Sequence, residues 1–353
     1  MIGGLAFCYF GMSWRGLNLG MALCVAVLVG GIFQTVWPWI QLKRSFDWRW
    51  KFNFSSSSGL EKIKGLFLIG AFSAAVSQVN IMVSRFLAYR LDDEGALSYL
   101  FLSARLIELP LGVFAISIST VVFPQLSKAF QKEQNNEYKN YFARGFRLTM
   151  GLIIPAAIGL ALISDTIVSV FFQWGEFGGK DVMLASEVLI ISCFALPFYA
   201  MAAYFVKAFH SQKNMKAPLH AAVISLCVNF VLSVVLMQYY GMIGLAWANV
   251  ISACLQTLFL GTRLNVFNLK TLLGEKNFSV NSIIISSFAM LGILWLTIQQ
   301  EYFGESKLSS IMELMVLIPI GVFVYGISLV VCGFPELKKY RKKISFGFFS
   351  NEQ

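Results

Sequence analysis

An arginine and a glutamate lie three residues apart inside a long apolar run, roughly 97–127. They are Arg105 and Glu108, in the stretch Ser103-Ala104-Arg105-Leu106-Ile107-Glu108-Leu109-Pro110-Leu111-Gly112. An ionisable side chain at membrane depth marks a functional position by default. On a helix, a three-residue spacing puts both groups on one face, close enough to pair. Ser98, Arg105, Gly112 and Ser119 recur every seven residues on that side. Pro110 has no amide hydrogen, so the carbonyl of Leu106 loses its helical partner and Pro110 with Gly112 makes a hinge. Backbone loosened at membrane depth is tolerated only where protein or a water-filled cavity satisfies it. The stretch therefore reads as the charged wall of a polar cavity within a helical bundle. An Arg–Glu pair that only joins two helices is the other reading.

No other chemistry stands out. The cysteines Cys8, Cys24, Cys193, Cys227, Cys254 and Cys332 are scattered singly through apolar runs, without metal-ligand spacing, as small buried residues are. His210 and His220 fall in or beside a basic loop and read as solvated. There is no Gly-rich phosphate loop, no Ser-His-Asp set and no zinc spacing. Neither a cofactor, a metal nor a catalytic residue is expected.

The elements that must position the pair are membrane helices. The chain is 57% hydrophobic and only 13% charged, with a mean hydropathy of +0.69. That composition indicates an all-α polytopic membrane protein. Residues 1–12 are apolar but shorter than the roughly 20 needed to span. They lack a basic n-region and a cleavage site, and read as the tail of a helix without its beginning. Full spans are expected at about 18–42, 65–88, 97–127, 148–172, 183–206, 217–237, 242–262, 281–299 and 311–333, nine in all plus the partial one. Trp37, Pro38 and Trp39 mark the exit of the first. Ser73, Ser77, Asn80 and Ser84 share one face of the next, either as helix-packing surface or as cavity lining. Arg85, near the end of that span, reads as snorkelling to the headgroups. Asp165 reads equally as cavity lining or as an interfacial cap. Ser225, Asn229 and Ser233 share a face, and Tyr239-Tyr240-Gly241 reads as a tight turn.

Charge sets the expected topology. The net charge is +10. Segments 43–64, 128–147, 207–220 and 263–277, with the tail 334–353, hold 22 of the 28 Lys and Arg residues. The alternate loops hold Arg15, Arg90, Lys180 and Lys307, and only Arg85 and Arg105 lie within spans. The positive-inside rule puts the first set and the C-terminus in the cytoplasm. Basic residues spread over many short loops, without one clustered face, exclude a nucleic-acid partner.

Four stretches resemble the MurJ/MviN family of lipid II flippases, in the multidrug/oligosaccharidyl-lipid/polysaccharide exporter superfamily. ARLIELPLGVFAISISTVVFPQLSKAF (104–130) resembles the family's signature region, and AAVSQVNIMVSRFLA (74–88) the helix before it. FFQWGEFGGKD (171–181) resembles its short external loop, and AFHSQKNMKAPLHAAVISLCVNFVLS (208–233) a later loop and helix. The resemblance implies a MurJ/MATE-like bundle. Residues 1–42 would end a first lobe, 43–64 form a cytoplasmic linker and 65–262 a complete second six-helix lobe. Residues 281–333 would form two C-terminal helices, and 334–353 a basic cytoplasmic tail. It implies flipping of an undecaprenyl-diphosphate-linked peptidoglycan precursor across the bacterial cytoplasmic membrane by alternating access, with no covalent chemistry. On the resemblance, Arg105 and Glu108 would be the second-lobe cavity pair. Ser98 and Ser119, by their spacing, and Asn80 and Ser77, by their shared face, are the candidates to line the cavity with them. The family's first four helices have no counterpart here, so a truncated or split form is expected, with a separate polypeptide as one source of the rest. The family usually has Asp before that arginine, where this chain has Ala104. An exporter of another lipid-linked oligosaccharide or of drugs, or a non-transporting membrane remnant, is the alternative.

Overall fold

The computed structural model describes residues 19–45, 58–91, 95–264, 278–300 and 307–334. Every regular element among them is helical: α1 Leu19–Ser45, α2 Ser58–Tyr89, α3 Ala96–Pro110, a π-helical turn Leu111–Ile116, α4 Ser117–Gln131, α5 Asn135–Leu162, α6 Ser164–Phe172, α7 Gly179–Ser211, α8 Lys216–Arg263, α9 Phe278–Ile298 and α10 Lys307–Val331. Among the described residues, seven helices are long and apolar enough to cross a membrane. The chain divides into two units, residues 1–60 and 61–353.

In the first unit, α1 is a 27-residue helix whose last turn carries Lys43 and Arg44. Cations there complement the negative end of the helix dipole, and Lys43 also lies over the Trp39 ring. The expected partial helix at 1–12 lies outside the described residues, as do residues 46–57 of the linker and nearly all of the basic tail.

In the second unit, α7 is the central element, packed by α3, α4, α5, α6 and α8. Its sequence shows why. Leu189, Leu196, Ala200, Phe205 and Phe209 are all buried to 1% exposure or less, so it is apolar on more than one side, as a central helix must be. Phe142, Phe146, Tyr204 and Phe205 form an aromatic knot that holds α5 to α7, with Phe142–Tyr204 centroids 5.3 Å apart. The Tyr204 hydroxyl donates to the Phe142 carbonyl at 2.9 Å, which satisfies the one polar atom of that ring. Between lipid-exposed helices such close packing does the work that hydrophobic burial does in water. Helices α9 and α10 pair with each other, α9 leaning on α5 and α10 on α6.

Several boundaries differ from those expected. Residues 128–147 are not a loop: α5 starts at Asn135, and only the turn after α4 remains. Tyr138, Phe142 and Gly145 recur at helical spacing and are buried, while Lys139 and Arg144 face outward. Charge had masked an amphipathic extension. The expected span 148–172 breaks at Ile163 into α5 and α6. The loop 207–220 shrinks to four residues, because α7 runs to Ser211 and α8 starts at Lys216. His210 and His220 are thus helical, and Ser58–Lys64 opens α2 instead of lying in the linker. Cys227 is exposed, not buried.

The tight turn does occur. Within α8, Gly241 has φ 54° and ψ −133°, the first central position of a type II′ turn, which only glycine fills freely. The chain reverses there, since a Cβ on Gly244 would meet the Leu236 carbonyl oxygen at 2.2 Å. Two helical arms, before and after Gly241, result.

Candidate functional site

A cavity of about 370 Å³ opens among α2, α3, α7 and both arms of α8. Its volume lies in the range of small-molecule sites. From α2 come Ser77, Asn80, Ser84 and Arg85, and from α3 Phe101, Ala104 and Glu108. Polar groups opposite include Tyr199 of α7 and Asn249 and Gln256 of α8. Apolar side chains fill much of the rest.

Arg105 donates to Glu108 Oε2 at 2.6 Å, the three-residue pairing that the sequence implies. Both side chains are more than half exposed, at 53% and 61%. An exposed pair is worth about 0–1 kcal/mol, so it tethers Arg105 without locking it. The guanidinium also lies over the Phe101 ring, 4.9 Å from its centroid.

The expected site residues divide. Glu108, Asn80 and Ser77 line the cavity. Arg105 stands beside it, joined through Glu108. Ser98, Gly112 and Ser119 do not line it; Ser119 is buried and donates to the Ala115 carbonyl. The π-helical turn Leu111–Ile116 explains Ser119. Its wider winding breaks the seven-residue register that would have kept Ser119 beneath Arg105. That turn starts directly after Pro110, where the missing amide hydrogen loosens the ladder. The Leu111 amide shares itself between the Ile107 and Glu108 carbonyls.

A neutral hydrogen-bond ladder forms the cavity's other side. Asn229, fully buried, donates to Asn80 Oδ1 at 2.8 Å and to Ser84 Oγ at 2.9 Å. Ser84 reaches Asn249 Oδ1 at 3.5 Å, and Ser233 reaches Asn229 Oδ1 at 3.4 Å. The ladder ties α2 to both arms of α8. Leu87 and Ala88 of α2 add a small apolar contact with Leu245. Among the described residues no group of three or more His, Cys, Asp or Glu could hold a metal ion.

At the end of the bundle where α7 begins, Tyr99 donates to Asp181 at 2.5 Å, and Asp181 caps α7 by accepting from the Gly178 amide. Lys307 of α10 lies over Trp174 and donates to the Gln173 carbonyl. Asp165 is exposed in the first turn of α6, away from the cavity.

Sequence reasoning missed Arg85 as a lining residue, along with Tyr199, Asn249 and Gln256. Arg85 extends the Ser77, Asn80, Ser84 stripe by one position, within the width of a helical face, so periodicity carried the signal. Asn249 and Gln256 are seven apart and share a face in the same way.

The chain matches the model of the family described as lipid II flippase MurJ over residues 1–313. It is 29% identical to "Probable lipid II flippase MurJ" of Vibrio cholerae over 281 residues, covering 78% of this chain and 52% of the relative. It is 33% identical to "Lipid II flippase MurJ" of Thermosipho africanus over 195 residues, covering 55% and 38%. The chain spans about half the length of the curated relatives it matches. A solved structure described as "Lipid II flippase MurJ, inward closed conformation" superposes with a TM-score of 0.68 at 27% identity, covering 92% of this chain and 62% of the other. An outward-facing multidrug resistance MATE family transporter of the MOP superfamily shares the fold, with a TM-score of 0.50 at 16% identity, covering 77% and 62%. A polytopic helical unit of this fold, matched by the family model over most of its length, belongs to the lipid II flippase MurJ family.

Proposed function

We propose that the chain takes part in flipping a polyprenyl-diphosphate-linked peptidoglycan precursor, lipid II, across the bacterial cytoplasmic membrane. The observation that carries this reading is the cavity with Arg85 and Glu108 in its lining and Arg105 at its edge, set among membrane-length helices. A diphosphate in hydrocarbon is prohibitively expensive. A cationic cavity lowers that cost while the apolar tail stays in lipid. Arg105 offers phosphate oxygens a forked donor, and Glu108 holds it in place while the cavity is empty. Pro110 and Gly112, at the π-helical turn, are the hinge. Residues 65–262 form the second six-helix lobe and 281–333 a final pair. With α1, and with α8 counted as two arms, they make nine spans. The basic segments, the C-terminus among them, face the cytoplasm. Access alternates by rocking of one lobe against another.

Growth rescue tests this. Cells depleted of their lipid II flippase receive the chain alone, or together with the part of a relative that it does not span. Rescue by either supports the reading. Arg105→Ala in the rescuing combination abolishes growth at unchanged membrane levels. Failure of every combination despite good expression would remove the lipid II assignment.

A further inference from the structure

The Phe101 ring carries two guanidinium groups. Arg85 Cζ lies 5.4 Å from the ring centroid and Arg105 Cζ 4.9 Å. Both are within the reach of a cation–π contact. The two arginines come from different helices, α2 and α3, so the fold and not local spacing brings them together. Like charges gathered at one ring repel. Glu108 offsets one of them, but at 2.6 Å it is committed to Arg105. Among the described residues no carboxylate lies within ion-pair distance of Arg85. The position before Arg105 is Ala104, which lines the cavity and brings no second carboxylate. Among the described residues, Arg85 is thus a cavity cation with its hydrogen-bond donors uncommitted.

We propose that Arg85 and Arg105 form a two-armed clamp for a lipid-borne diphosphate, with Phe101 as the platform for both guanidinium groups. Arg85 supplies the open arm. Arg105 becomes the second arm when a phosphate oxygen replaces the Glu108 carboxylate. Each planar fork can take two oxygens, and a diphosphate presents oxygens on two phosphorus atoms. Glu108 then acts as a gatekeeper that occupies Arg105 in the empty cavity. This rests on the reading of the chain as a carrier of a polyprenyl diphosphate, and it adds the residue that binds first and the one that must yield.

The test uses the full chain in lipid nanodiscs, with undecaprenyl diphosphate and undecaprenol as probes and binding followed by tryptophan fluorescence. The unsubstituted chain prefers the diphosphate. Arg85→Ala weakens diphosphate binding about tenfold or more and leaves undecaprenol binding unchanged. Arg85→Lys recovers part of the preference, as a point charge without the fork. Glu108→Gln tightens diphosphate binding, because Arg105 is released. Arg85→Gln carries the same expectation as Arg85→Ala if the alanine variant does not yield monodisperse protein. An unchanged preference in the Arg85 variants, or weaker binding in Glu108→Gln, would overturn the clamp while leaving the carrier reading intact. No preference in the unsubstituted chain would overturn the carrier reading and the clamp with it. Inorganic pyrophosphate competes only at millimolar concentrations. Competition at micromolar levels would assign the clamp to a free anion and overturn the lipid-borne assignment.

Discussion

Asn229 shows how one neutral side chain can tie two helices together. Its amide donates to Asn80 and Ser84 on α2, and its oxygen accepts from Ser233 one turn further along its own arm. It is fully buried, so water cannot replace those bonds. Removing one partner from a buried hydrogen bond costs about 1–3 kcal/mol. Asn229→Ala therefore lowers the thermal unfolding midpoint of the detergent-solubilised chain by several degrees. An unchanged midpoint would mean that α2 is held by its apolar contacts alone. The sequence places Asn229 on a face with Ser225 and Ser233. It cannot say what that face meets, because the partners lie about 150 residues away along the chain.

At the scale of elements, two interruptions shape the site. The π-helical turn after Pro110 rotates Ser119 out of register with Arg105. The reversal at Gly241 folds α8 into two arms, one bearing Asn229 and the other Asn249. Both interruptions have a local sequence cause, and both residues are conspicuous in the chain. Their consequences differ in legibility. A turn at Tyr239-Tyr240-Gly241 follows from residue type. The extent of unwinding after Pro110 follows only from how α3, α4 and α7 pack. Gly241→Ala forces a side chain into a backbone region that costs about 1–3 kcal/mol for non-glycine residues. Gly244→Val adds a direct collision with the Leu236 carbonyl. Each variant gives less folded protein by size-exclusion chromatography, and Gly244→Val is the worse of the two. Wild-type yield and stability for both would mean the arms are not tightly apposed.

For the whole molecule, the lysine and arginine pattern makes a prediction about orientation. In a background without native cysteines, Asn214→Cys lies between α7 and α8 and Glu176→Cys between α6 and α7. The positive-inside rule places Asn214 in the cytoplasm and Glu176 outside. A membrane-impermeant maleimide added to intact spheroplasts labels Glu176→Cys, and labels Asn214→Cys only after lysis. The opposite pattern would invert the topology and, with it, the side from which the cavity loads.

The sequence by itself determined the class of the protein, most of its helices and the Arg105–Glu108 pair. Those properties are local: apolar length, loop charge and a three-residue spacing act within one segment. Element ends were less legible, because basic residues on the outer face of α5 hide a helix whose other face is buried. Only the tertiary structure decided which polar residues of different helices meet. It moved Arg85 from a headgroup contact to the cavity and set it on the ring that carries Arg105. It also joined Asn80, Ser84, Asn229 and Asn249 across three helical segments. Periodicity defines a polar face on each helix, but the rotation and depth at which separate helices pack is a property of the assembled bundle.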